Sequence, residues 1–195
     1  MSIQEDVRSA LMRRLERIPG IGDVHAFERL PEDQSELASL YTSGGKLLGW
    51  HLRRGAVEEF PFSSTLNRVQ TTWRIRGIAQ VDDSQGSELA LEALVDAISA
   101  SFRRVPLLKN ADREAFARTA ITESAGIQAD EITVVEFAGM RCHSIWLSLA
   151  VEHFEEIEPR LSEDAQVAGY DEDGYLTGES CPTGHVKYID ISPNN

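Results

Sequence analysis

Cysteine is scarce in this 195-residue chain, which holds only Cys142 and Cys181. A disulfide between them is one reading, but a reducing compartment disfavours it. Cys142 is followed by His143, but two adjacent donors without two more at ligand spacing make a poor zinc site. Cys142 therefore reads as a buried structural thiol. Basic charge is also in short supply. Nineteen Lys and Arg face 32 Asp and Glu, for a formal net charge of -13 and a pI near 4.8. That balance argues against a nucleic-acid binder working through a basic surface, and against an anionic membrane as partner. No apolar run approaches the roughly 20 residues of a membrane helix. The opening Met1-Ser2-Ile3-Gln4-Glu5-Asp6 lacks the charged and apolar regions of a signal peptide, so cytoplasmic residence is the expectation.

The signatures of catalysis are missing as well. There is no Gly-rich phosphate loop with Lys and Ser/Thr, no Gly-x-Ser-x-Gly elbow and no His-Glu-x-x-His pair. Asp171-Glu172-Asp173-Gly174 has the start of a calcium loop, but Ser180 stands where the bidentate glutamate belongs. It reads as an acidic turn. The five histidines, His25, His51, His143, His153 and His185, are spread along the chain. Carboxylates are abundant by composition, and none forms a distinguishable acid/base pair. The expectation is a protein that is not an enzyme, with no catalytic residue, cofactor or metal.

What is present is a 42% apolar chain, enough for one cored domain with extensions. The central stretch is Val69 to Phe102. From Val69 to Val81 apolar and polar residues alternate, with Val69, Trp73, Ile75, Ala79 and Val81 on one face and Gln70, Thr72, Arg74, Arg76 and Gln80 on the other. Period 2 over such a run predicts a half-buried strand. After the turn at Asp82–Gly86, Leu91, Leu94, Val95, Ile98 and Phe102 recur at helical spacing and predict an amphipathic helix from Ser87.

Around this unit, residues 3–18 predict a helix with Ile3, Val7, Ala10, Leu11, Leu15 and Ile18 inward, ended by Pro19-Gly20. Its Arg8, Arg13, Arg14 and Arg17 read either as a solvated face suited to the helix dipole or as a phosphate-binding face. Asp23 to Arg29 predicts a short strand. Pro31 to Ser43 predicts a loop or a short helix around Ser35–Leu40. Lys46 to Arg54 predicts a strand with Leu48, Trp50 and Leu52 on one face. Gly55 to Asn67, with Pro61 and a serine cluster, predicts a loop. A second, shorter helix is expected over Asp112–Ser124, with Ala115, Phe116, Ala120 and Ile121 sharing a face. Glu131–Ala138 and His143–Phe154 predict two strands joined as a hairpin.

The order implies an α+β fold, a mostly antiparallel sheet with helices packed on one face. Composition shifts near Glu155. From there to Asn195 ten acidic residues face only Arg160 and Lys187. The expected division is a domain over 1–154 and an acidic C-terminal arm over 155–195. The arm ends in the alternating Val186-Lys187-Tyr188-Ile189-Asp190-Ile191, a strand able to join a neighbour or its own sheet.

Two groups of residues resemble the tail terminator (tail completion) proteins of long-tailed bacteriophages, including Mu-like phages. One is Trp73-Arg74-Ile75-Arg76-Gly77-Ile78, then Asp82-Asp83, Ser87-Glu88 and Leu91 to Ile98. The other is Val134 to Ala138 with Cys142 to Val151. The resemblance spans roughly residues 3–154 and rests on element order and sequence character, not on an invariant motif. The loop from Pro31 to Gly45, the stretch 110–126 and the arm after Glu155 depart from it.

The resemblance implies a structural virion protein at the tail–neck junction, assembled in the host cytoplasm. It would form a hexameric ring on the tail tube protein, end tube polymerisation and meet the head–tail connector or neck protein. In a contractile tail it would also meet the sheath protein. Genomic DNA would pass through without specific binding. A head–tail adaptor or head-closure protein is the alternative, and a small cytoplasmic enzyme or ligand-binding domain stands behind both. Candidate subunit-interface residues are Arg74 and Arg76, which otherwise read as solvated, and Val186, Tyr188 and Ile189 of the arm.

Overall fold

Helix α1 (Ile3–Leu15) starts where Ser2 can cap it. The Glu5 amide donates to Ser2 Oγ while the Ser2 amide donates to Glu5 Oε2, a reciprocal capping box. These bonds to Ser2, its backbone first, hold the Glu5 carboxyl below its usual pKa. In this computed structural model the described residues are 2–63, 65–110, 112, 114–119 and 126–157, with the backbone of 169–170 and 176–177 beyond them. After α1 come β1 (Asp23–His25), α2 (Gln34–Leu40), β2 (Thr42–Ser43), β3 (Lys46–Pro61) and β4 (Leu66–Gln80). A short 3-10 turn leads into α3 (Ser87–Arg104), followed by β5 (Leu107–Lys109), β6 (Ala115–Thr119), β7 (Gln128–Ala129), β8 (Thr133–Phe137) and β9 (Met140–Glu156).

The fold is α+β, with a sheet ordered β1-β3-β4-β9-β6-β5. β2 adds to β3, and β7 and β8 add to β9. Every pairing in it is antiparallel except β1 with β3. The central strand is the one the alternation from Val69 to Val81 predicts. On one face Trp50, Leu52, Trp73, Ile75, Leu147, Leu149 and Val151 are buried against α1 and α3, which contribute Val7, Leu11, Leu15, Leu91, Val95, Ile98 and Phe102. Burial of such large apolar side chains contributes about 1.5–3 kcal/mol each and is the main force joining helices to sheet. The short α2 lies at one end of the opposite face. There Leu37, Leu40 and Tyr41 pack with Leu47, Ile78, Phe137 and Cys142. Cys142 is fully buried, and burial raises its thiol pKa.

Two expectations are corrected. Gly55–Asn67 is not a loop: β3 runs on to Pro61 and β4 begins at Leu66. Pro61 is tolerated because it closes an edge strand, where a missing N–H costs least. Gly55 and Ala56 form a bulge that shifts the register between Arg54 and Val57. Nor does Asp112–Ser124 start as a helix. Ala115–Thr119 is strand β6, with Ala117 and Thr119 inward and Arg118 outward beside Glu152 of β9. The vacant edge of β9 outweighs a weak helical propensity.

Smaller differences concern ends. The first helix closes at Leu15, although Ile18 is still buried, and β1 stops at His25. The late hairpin turns on Ala138 and Gly139, at φ 52° and 72°, with Phe137 opposite Met140. Positive φ at both central residues is the two-residue turn that matches strand twist.

The chain divides after Ile157 into two units. In the second, β10 (Gly169–Tyr170) pairs antiparallel with β11 (Leu176–Thr177). The strand expected over Val186–Ile191 lies outside the described residues.

Candidate assembly surface

The face of the sheet opposite α1 and α3 carries its residues in register across β4 and β9. Ile78 and Cys142 at one end are covered by the α2 cluster. Farther along, Arg76 lies opposite Trp146 and Arg74 opposite Ser148. Both guanidiniums sit over the Trp146 ring, 4.5 Å from its centroid for Arg74 and 5.3 Å for Arg76. A cation over an indole is attracted by the ring quadrupole. Arg74 also pairs with Asp130 at 3.2 Å. Arg76 donates to Ser144 Oγ at 3.1 Å and to Glu28 Oε1 at 3.3 Å. The two candidate interface arginines are thus engaged inside their own chain. Arg74 remains the more open, with 42% of its side chain exposed against 20% for Arg76. The other candidates, Val186, Tyr188 and Ile189, lie outside the described residues.

Beneath Arg76 lies a buried polar chain. The Tyr41 hydroxyl accepts from the Arg29 amide at 3.3 Å and reaches His51 Nδ1 at 3.2 Å. Burial raises the Tyr41 pKa, so its hydroxyl stays protonated. Glu28 stands 4.0 Å from Nε2, beyond hydrogen-bonding distance, and its carboxylate is held by Arg76. Burial, then the positive charge of Arg76, His25 and Arg53, lowers the His51 pKa to about 4. His51 is therefore a neutral core histidine. These residues come from four separate segments, and nothing in their spacing announces the network.

At the far end the sheet outruns its helices. β3, β4 and β9 hold 16, 15 and 17 residues, about 50 Å each at roughly 3.3 Å per residue. Burial along β3 ends at Leu52, and Arg53 to Pro61 are all exposed. In this projecting blade Phe60, Arg68 and Phe154 form one cross-strand row. Arg68 lies 5.0 Å from the Phe60 centroid, and the Phe62 and Phe154 rings are 4.9 Å apart. Phe62 is 63% exposed and Phe154 46%. In the neighbouring row, through Gln70, Arg118 forms an ion pair with the buried Glu152. Beyond its contacts with β1 and β2, β3 also presents an unpaired outer edge among the described residues. Clustered exposed aromatics beside an open strand edge are the features of a surface made for another chain.

Sequence reasoning missed this blade because Gly55–Asn67 was expected to be a loop. The available signal was the alternation Val57, Glu59, Pro61 against Glu58, Phe60, Phe62, masked by the bulge and by Pro61. The face that holds Arg74 and Arg76, by contrast, follows directly from period 2.

No family model matches the chain, and no curated protein matches it. One solved structure, of a protein without a descriptive name, aligns over 81% of this chain and 99% of its own. Its identity is 16% and its TM-score 0.45, too loose a likeness to carry any argument.

Proposed function

We propose that this chain is a structural virion protein of the tail terminator class. In this reading it forms a ring on the end of a phage tail tube, stops tube polymerisation and offers its other surface to the head connector. The observation that carries the reading is the blade of β3, β4 and β9, which leaves the helix-covered core and exposes Phe60, Phe62 and Phe154. Such aromatic area has no use in an isolated monomer and suits burial between subunits or against the tube. The resemblance of Trp73–Ile98 and Val134–Val151 to that class supports the same assignment. So does a charge of -13, which disfavours adhesion of DNA passing through a lumen.

The test is depletion of the protein during phage assembly, with the particles imaged. A terminator leaves overlong or unjoined tails when it is missing. Normal-length tails beside filled heads that leak would instead assign the chain to the head–tail adaptor or head-closure proteins.

A further inference from the structure

One local exception to the acidic balance lies at the end of α1. A cleft of about 610 Å³ between the last turns of α1 and strand β5 is lined by Arg13, Arg14, Arg17 and Lys109, with no carboxylate in its lining. Two of these cations are used in building it. Arg14 donates to the Val105 and Leu107 carbonyls and stacks 4.9 Å from the Phe102 ring centroid. Arg13 donates to the Lys109 carbonyl at 2.9 Å. Arg17 and Lys109 are exposed, and among the described residues their side chains have neither a hydrogen bond nor an ion pair. Burial, and then the nearby charge of Arg17, lowers the Arg14 pKa.

The reverse arrangement occurs at the other end of α3. A groove of about 430 Å³ is lined by Glu88, Glu92, Asp96, Asp130 and Glu131, with no cation in its lining. Glu88, Glu92 and Asp96 follow one another at i, i+4 on one exposed stripe of the helix. Like charges at that spacing repel and weaken the helix unless something neutralises them. Asp130 alone has a partner among the described residues, Arg74 on the rim. From Glu92 to Val105, where the basic cleft begins, α3 covers about 20 Å at 1.5 Å per residue.

We propose that the basic cleft at Arg17 and Lys109 and the acidic groove at Glu92 and Asp96 are the two halves of a head-to-tail contact between neighbouring copies of this chain. The occupant of each patch is the other patch on a second copy. Each repels its own kind, so the contact joins unlike surfaces, and unlike surfaces repeated around an axis are what close a cyclic ring. Arg17 and Lys109 on one side, and Glu88, Glu92 and Asp96 on the other, have no ion-pair partner among the described residues, and the two clusters neutralise each other when paired. This inference rests on the ring reading and adds to it which surfaces meet.

The test uses full-length protein and two charge reversals at exposed positions, Arg17→Glu with Lys109→Glu, and Glu92→Lys with Asp96→Lys. Mass and shape are measured by light scattering and negative-stain imaging, with thermal melting as the folding control. The parent is expected to form rings that dissociate as salt rises. Each reversal alone should melt like the parent yet lose the ring. An equimolar mixture of the two should regain it, because an all-acidic subunit then alternates with an all-basic one. A reversal variant that still forms rings, or folded variants that stay apart when mixed, would overturn the assignment while leaving the ring reading intact. A parent that closes as a dimer would overturn the head-to-tail geometry. A parent monomeric at every concentration would remove the ring reading itself, and this inference with it.

Discussion

Trp50 on β3 lies directly across Gly77 of β4, and a Cβ built on Gly77 would stand 2.4 Å from the indole ring. The ring is fully buried, and its Nε1 donates to the Ile21 carbonyl at 2.8 Å. The glycine therefore makes room for an aromatic that ties the central sheet to the chain after α1. Gly77→Ala forces the ring or the strand to move, an overpacking cost of about 1–3 kcal/mol. Denaturant unfolding should show a lower midpoint with an unchanged m-value. An alanine variant as stable as the parent would contradict this packing.

His51 gives a pH dependence with a definite sign. Its folded-state pKa is lowered from the ordinary 6.5 to about 4. Between those values the unfolded chain binds the proton and the folded chain does not. Stability is therefore full above 6.5, falls as the pH drops through that window and levels off below 4. The displacement corresponds to something on the order of 3 kcal/mol at most. Neighbouring Tyr41, Glu28, Arg76, His25 and Arg53 face the ring, and the comparison is best made against His51→Gln in the same background. Urea midpoints between pH 7 and pH 4 should fall more steeply in the parent than in the variant. Equal slopes would mean that His51 titrates normally.

The two arginines over Trp146 should separate on removal. Arg76→Ala strands Glu28 and Ser144 in a half-buried setting, at a cost of about 1–3 kcal/mol. Arg74→Ala breaks a pair in which both side chains are largely open, 42% and 53% exposed, and costs about 1 kcal/mol or less. Thermal melts of the two variants measure the difference. Equal losses would deny Arg76 its central position in the network.

The blade aromatics should behave in the opposite manner, mattering to assembly and hardly to folding. Phe62 and Phe60 are 63% and 38% exposed, so serine at both should change stability by only about 0.5 kcal/mol. Binding to tail tubes, followed by co-sedimentation, should be lost. Parent-like binding with the doubly substituted blade would place the contact elsewhere.

How far the sequence could be read depended on the kind of signal. Period-2 alternation from Val69 to Val81 and the i, i+4 stripe from Leu91 to Phe102 lie in continuous runs, and both emerge as the central strand and the main helix. Ala115–Thr119 was illegible because alanine and phenylalanine at i, i+1 fit either period, and only the free edge of β9 decides for strand. The bulge at Gly55–Ala56 hid the blade by breaking the alternation where β3 leaves the core. The His51–Tyr41–Glu28 network and the basic cleft unite residues distant in sequence, Arg13 with Lys109 for instance. Such sites are made by topology and leave no local pattern.

The central proposal is that this chain works as a ring of identical subunits. The most direct measurement is negative-stain imaging of the purified full-length protein with a parallel mass determination, alone and with tail tubes. Closed six-fold rings are expected, with a ring seated on the tube end. A monodisperse monomer at high concentration that leaves tube ends bare would contradict it.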